Sequence, residues 1–192
     1  MEKMIEPIEL NNILIVIVIY KRTLRQSETF LSLEKNLSHV TGQKLDIYIY
    51  DNSPEPQQIA ENEQLQIIYE HDASNSGVSK AYNKACLEAN KIGKKWILIF
   101  DQDTTLPLNA IKKYSDAVGE VDSGINVIAP KLYSNNVLIS PCRYIFHRGF
   151  HLSHVSIGNL LIKRHSFLNS GLLIKVDSIK EIGFFGRFIS TD

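Results

Sequence analysis

Asp101 and Asp103 stand two positions apart at the end of an apolar run, in the stretch Ile97-Leu98-Ile99-Phe100-Asp101-Gln102-Asp103. Two carboxylates so spaced offer hard oxygen ligands, the set that suits Mg²⁺ or Mn²⁺, and a cation held that way can take the phosphates of a substrate as further ligands. Two other apolar runs also end in polar chemistry: Ile13 to Tyr20 precedes Lys21-Arg22, and Leu45 to Tyr50 precedes Asp51-Asn52-Ser53. Three such endings point to one shared site. Taken singly, each has an ordinary structural reading. An Asp-x-Asp is often a pair of turn or capping acids, Asp51 serves equally as an Asx-turn residue beside Pro54, and Tyr20 is as readily core packing at a strand end.

The elements that must position these residues follow from periodicity. Ile13 to Tyr20 is a continuous β-branched run without alternation, the pattern of a strand covered on both faces. Leu24 to Leu37 carries apolar residues at helical spacing, and Leu45 to Tyr50 is the next strand, which makes a βαβ opening. Pro54 and Pro56 stop that strand, Leu65 to Tyr69 reads as a short strand, and Ser74-Asn75-Ser76-Gly77 is a turn into a helix over Val78 to Lys91. Trp96 to Phe100 is the strand that delivers the two carboxylates. Pro107 is expected at the first position of a helix reaching Val118, followed by a strand over Ile125 to Pro130. Lys131 to Phe167 is irregular and reads as a substrate-loop region. Gly171 to Val176 is a last strand, Asp177 is expected to cap a short helix to Ile182, and Gly183-Phe184-Phe185-Gly186 turns the chain. The alternation predicts an α/β protein with a Rossmann-like, mostly parallel sheet flanked by helices, whose ligands bind outside the carboxyl ends of the strands.

At 192 residues, with 44% hydrophobic and 22% charged residues, the chain suits one globular domain, or a domain lacking a piece. Twenty-one basic residues balance twenty-one acidic ones, so no global field favours nucleic acid or an anionic membrane, and an anion must be captured locally. The start lacks the basic-then-apolar order of a secretory signal, and Ile13 to Tyr20 falls far short of the roughly 18 apolar residues of a spanning helix; a cytoplasmic protein is expected. Cys86 and Cys142 are too few for a disulfide framework and are read as reduced thiols.

Five segments together resemble, in order and over most of the chain, the inverting family 2 glycosyltransferases with the GT-A fold, and among these the rhamnosyltransferase-like members. They are Ile15-Val16-Ile17-Val18-Ile19-Tyr20, Tyr50-Asp51-Asn52-Ser53, Asn75-Ser76-Gly77-Val78-Ser79-Lys80-Ala81-Tyr82-Asn83, Leu98-Ile99-Phe100-Asp101-Gln102-Asp103-Thr104 and Asn169-Ser170-Gly171-Leu172-Leu173-Ile174. The resemblance implies that Asp103 ligates the metal and that Asp101 contacts the ribose or supports the metal. It implies that Asp51 accepts a hydrogen bond from the base, with Tyr20 and Lys21 lining the base and phosphate pocket. Asn75 and Gly77 bring the backbone close to the nucleotide, Lys80 and Asn83 reach it from the following helix, and Ser170 and Gly171 begin a strand beside the sugar. The general base is an acidic residue after a Gly-Phe-Phe-like turn, for which Asp192 is the nearest candidate, at tighter spacing than the family's usual form.

By the same resemblance, 1–11 is a polar N-terminal segment, 12–105 a nucleotide-binding half and 106–192 an acceptor half expected to lack its C-terminal part. The implied reaction moves a sugar, rhamnose from its dTDP-linked form, onto a glycan acceptor in bacterial cell-surface polysaccharide assembly. The implied partners are a dTDP- or UDP-sugar and a glycan or lipid-linked glycan; the charge balance argues against nucleic acid, and peripheral association at the inner face of the membrane is left open. Two alternatives remain: a nucleotide-sugar-binding module without transfer activity, and a sugar nucleotidyltransferase. The latter is disfavoured because Tyr20-Lys21-Arg22-Thr23-Leu24 contains no glycine. His147, His151 and His154 share a helical spacing, but Gly149 and Ser153 argue for a loop, so a structural or solvent-facing role outweighs a metal site or an acceptor contact. Arg143, Arg148 and Arg164 lie in the same region as solvated charges or phosphate contacts.

Overall fold

β1 (Ile13–Ile19) is buried along its whole length, and its side chains divide by parity between two hydrophobic layers. Ile13, Ile15, Ile17 and Ile19 pack with Phe30, Leu33 and Leu37 of α1 (Glu28–Leu37), whereas Leu14, Val16 and Val18 face the opposite layer. An unbroken apolar strand requires this, because successive residues point to opposite faces and both must be covered. The computed structural model describes residues 10–38, 40, 44–145, 148–160 and 165–185.

β2 (Leu45–Asp51), β3 (Leu65–His71), α2 (Val78–Lys91), β4 (Trp96–Asp101) and α3 (Ala110–Glu120) follow in the expected order. Beyond them come the short strands β5 (Val127–Ile128), β6 (Leu132–Ser134), β7 (Val137–Ser140), β8 (Cys142–Ile145), β9 (Arg148–His151) and β10 (His165–Ser166). The described chain closes with β11 (Leu172–Lys175) and α4 (Val176–Glu181). The main sheet runs β3-β2-β1-β4-β11-β5, with the first four strands parallel and β11 antiparallel to both of its neighbours. α1 and α3 cover one face, while α2 and α4 cover the other through Ala81, Tyr82, Ala85, Cys86, Val176 and Ile179. The chain builds outward from β1 to β3, then crosses back by α2 to place β4 on the other side of β1. The order therefore reverses between β1 and β4, and a crevice opens at the carboxyl ends of those two strands.

Four expectations shift. The helix over Leu24 to Leu37 is broken into a 3-10 turn, Leu24–Gln26, and α1, because Ser27 caps α1 by accepting from Phe30 N at 3.2 Å. Pro107 does not open α3, which starts at Ala110 behind a left-handed Asn109 (φ 64°). The reason lies in α1: Ser32 Oγ accepts from Leu106 N at 3.0 Å and Asn36 Nδ2 donates to Pro107 O at 3.1 Å, which fasten that stretch to α1, and Pro107 O closes a turn with Ala110 N before the helix begins. Asp177 sits in the first turn of α4 rather than at its cap, which is Lys175. The region read as irregular holds short antiparallel ladders, the pair β6-β7 and the sheet β10-β8-β9. Asn135 and Asn136 both take positive φ (47° and 62°), as a tight two-residue hairpin loop demands. Among the described residues no helix is long and apolar enough to cross a membrane.

Candidate functional site

The crevice between β1 and β4 is bridged at its mouth by Gln102, whose Oε1 accepts from Tyr20 N at 2.9 Å. Register sets Val18 beside Asp101, so the segments leaving both strands start side by side. Asp101 is half-buried and Asp103 exposed. Burial pushes the Asp101 carboxyl up, and the charge of Asp103 pushes it further, while the Tyr82 hydroxyl nearby acts in the opposite direction. Tyr82 is buried, and its oxygen falls short of a completed hydrogen bond. Two like charges at one strand tip repel, and a divalent cation between them would remove that repulsion. Among the described residues no group of three His, Cys, Asp or Glu is assembled. Two carboxylates alone fit an ion that completes its shell with water and substrate phosphate, the usual arrangement for Mg²⁺.

The turn carrying Asp101 to Thr104 is clamped from behind by α1, through residues that sequence reasoning passed over. Ser27 Oγ donates to Gln102 O at 2.8 Å, Thr29 Oγ1 donates to Asp101 O, and Thr104 N donates to Thr29 Oγ1 at 2.9 Å. Ser170, before β11, accepts from Asp101 N at 3.1 Å and bonds the Thr104 hydroxyl. Ser27, Thr29, Ser32 and Asn36 are all buried. The signal was present in the sequence: Thr29, Ser32 and Asn36 recur at spacings of three and four, alongside Phe30, Leu33 and Leu37. Small polar residues on a buried helix face need partners, and here Ser27 and Thr29 find them in the backbone of the carboxylate turn, Ser32 and Asn36 in Leu106 and Pro107 just beyond it.

Asp51 ends β2 fully buried. It accepts from Ser53 N at 2.9 Å, Gln57 Nε2 at 2.8 Å and Tyr69 Oη at 2.8 Å. Burial works against its charge, but these hydrogen bonds outweigh it and hold the carboxyl below the ordinary range. Gln57 also accepts from Leu24 N at 2.6 Å, so the loop after β2 is tied to the loop after β1. Lys21, with φ 53°, donates its N–H to Ser53 Oγ at 2.8 Å, and its ammonium lies 5.0 Å from the centre of the exposed Tyr20 ring. Asp51 thus organises the Tyr20–Lys21 side of the crevice from below.

A third knot lies at the tip of β3. Asp72 accepts from Tyr50 Oη at 2.7 Å, Ser74 N at 3.1 Å and Lys80 Nζ at 3.0 Å. Hydrogen bonds from Ser74 foremost, then Ser76, Tyr50 and Lys80, hold this carboxyl far below its usual range. Asn75 (φ 46°) and Gly77 (φ 85°) shape the turn into α2, and a Cβ on Gly77 would meet nothing within 4 Å, so the glycine serves backbone conformation at an open surface. Asn83 is not gathered with these residues. Its amide donates to Phe185 O at 3.0 Å and accepts from Phe185 N at 2.8 Å, and the Phe185 ring packs edge-on to Tyr82 at 5.5 Å. The Gly-Phe-Phe turn is therefore fastened to α2 beside the residue that neighbours Asp101. Asp192, His147 and Arg164 lie outside the described residues. His151 Nδ1 lies 3.1 Å from Leu138 O and lines, with His154, Lys131 and Tyr133, a separate cleft of about 510 Å³.

A parallel sheet that reverses order at a carboxylate-bearing strand, with one antiparallel strand beyond it, is the GT-A architecture. The sequence matches Glycosyl transferase family 2 over residues 14–169, and the chain belongs to that family. Two solved structures share the fold: S. aureus TarS 1-349 (TM-score 0.55, 11% identity, 91% of this chain and 50% of that one), and the same fragment in complex with UDP-GlcNAc (TM-score 0.52, 14% identity, 91% and 48%). The chain spans about half the length of those structures. No curated protein matches it by sequence.

Proposed function

We propose that the chain carries the donor-binding part of an inverting glycosyltransferase, taking a nucleoside diphosphate sugar, with rhamnose from dTDP-rhamnose as the specific donor, and serving glycan assembly at the cell surface. The observation that carries the reading is the position of Asp101 and Asp103 at the mouth of the β1–β4 crevice, on a turn braced by Thr29 and Ser170. The donor class is supported by family membership and by the UDP-GlcNAc complex of TarS.

Asp103 and Asp101 would hold Mg²⁺ or Mn²⁺ against the diphosphate, and the bound ion would supply charge stabilisation for the leaving group. The nucleoside sits over Tyr20 and Lys21, and the Asp51 knot fixes the height of that floor. Gly77 admits the backbone to close approach, and Lys80, tied to Asp72 and Ser76 by its ammonium, presents positive charge at the same rim. The acceptor hydroxyl oxygen attacks the anomeric carbon as the bond from that carbon to the diphosphate oxygen breaks, the electron pair leaves with the diphosphate, and the hydroxyl proton passes to a carboxylate, assigned here to Asp192.

Calorimetric titration with UDP and dTDP, with and without Mn²⁺, tests the binding half. Mn²⁺ is expected to tighten binding in the parent chain and to leave Asp103→Ala unaffected; tightening that survives in Asp103→Ala refutes the metal assignment. Release of dTDP from dTDP-rhamnose, compared with UDP from UDP-GlcNAc, decides the donor.

A further inference from the structure

Between Asp122 and Asp177 the chain contains no Asp or Glu, yet it holds Lys131, Arg143, Arg148, Lys163, Arg164, Lys175 and four histidines. Because the whole chain is neutral, the rest carries the matching acidic excess. Lys175 belongs to β11 of the main sheet, whereas Arg143 and Arg148 lie on the short strands beyond it. Register shows how these two are displayed. In the sheet β10-β8-β9, Arg143 stands opposite both Phe150 and His165, and Ile145 stands opposite Arg148. Directly opposed residues share a face, as do residues two apart, so Arg143, Ile145, Arg148, Phe150 and His165 all lie on one side. Cys142 and His151 occupy the other, where His151 reaches Leu138 O of β7. The first face looks outward: Arg143 and Arg148 are exposed and Phe150 is 51% exposed. The loop after β9 also exposes apolar side chains, Ile157 at 93% and Leu160 at 39%.

We propose that this face docks the protein onto an anionic lipid surface, with Arg143 and Arg148 meeting headgroup phosphates while Phe150 and Ile157 enter the boundary beneath them. The argument is charge complementarity joined to apolar exposure. A soluble polyanion would be served by the arginines alone, and would leave an aromatic and an isoleucine in water beside them. An interfacial membrane site uses both, basic groups for the headgroups and apolar side chains for the acyl boundary. The sheet β10-β8-β9 joins the crevice directly, since the loop after β10 leads to Ser170, the partner of Asp101 N. A surface anchored there would hold the crevice mouth near the bilayer.

The test is sedimentation of the 192-residue chain with vesicles of phosphatidylcholine alone and with about 30% phosphatidylglycerol added. No nucleotide is present, so failure here leaves the transferase reading standing. Binding is expected only to the anionic vesicles and to weaken with salt. Arg143→Gln/Arg148→Gln should bind roughly 30-fold more weakly, and Phe150→Ser roughly tenfold more weakly, with unchanged thermal unfolding in both. Absence of binding to the anionic vesicles, or binding that both variants retain, overturns the proposal. So does the case in which soluble polyphosphate competes fully and Phe150→Ser binds like the parent, which would make the face a site for a soluble polyanion.

Discussion

Thr29→Val is the sharpest probe of how the fold presents the carboxylate turn. Thr29 is fully buried, and its hydroxyl donates to Asp101 O while accepting from Thr104 N at 2.9 Å. Valine keeps the shape and fills the same space, so no cavity term enters. What is lost is one partner for each of two backbone groups in a partly buried turn. An unsatisfied buried group costs about 1–3 kcal/mol, and some relaxation toward water recovers part of it, giving an expected loss of about 2–4 kcal/mol. For a chain of this length that lowers the unfolding midpoint by roughly 5–15 °C. Urea unfolding followed by far-ultraviolet circular dichroism measures it, with an unchanged denaturant slope as the check that only stability moved. Thr29→Ser keeps both hydrogen bonds and should cost less than valine. The same substitution should weaken Mn²⁺-dependent nucleotide binding, because Asp101 and Thr104 bracket the proposed ligand Asp103. A valine variant within about 0.5 kcal/mol of the parent, or a serine variant equally destabilised, would show that the clamp does not brace the turn.

Gly171→Ala should destabilise strongly, by about 2–4 kcal/mol from strain at φ 83° and from a Cβ placed 2.6 Å from Pro130 Cγ and 2.9 Å from Tyr114 Oη, read by thermal unfolding. Asn83→Asp keeps an acceptor for Phe185 N but loses the donor to Phe185 O, and should cost about 1–2 kcal/mol in urea unfolding, while Asn83→Leu loses both bonds and costs more. Asp51 has a folded-state pKa below its ordinary value, so its contribution is present at neutral pH and is lost as pH falls through the folded value. Asp51→Asn should therefore flatten the acid side of the stability profile measured from pH 7 down to about pH 3.

The sheet was largely legible because its signals are long and redundant: seven consecutive apolar residues in β1 and five in β4, followed by Asp101, admit few other readings. The carboxylate tip was legible for the same reason. The clamp behind it was not, since Ser27, Thr29 and Ser32 look like ordinary helix-start residues until the turn they bond is folded against them. Asn83 misled in the opposite direction. Its place on α2 suggested the nucleotide side, but side-chain direction on a helix is settled by what packs there, and Phe185 arrives from 102 residues away. The short strands β6 to β10 escaped because two to four residues are too few to show a period, and the Asn135-Asn136 turn was the one local cue available.

The complete enclosure of β1 bears on motion. Amide protons on a strand flanked by partners on both edges and layers on both faces exchange with solvent only when the whole sheet opens, so the floor under Tyr20 should belong to the slowest-exchanging unit of the molecule. Any rearrangement that admits a ligand must then occur as a hinge in the segments just past the strand tips, riding on a foundation that stays shut.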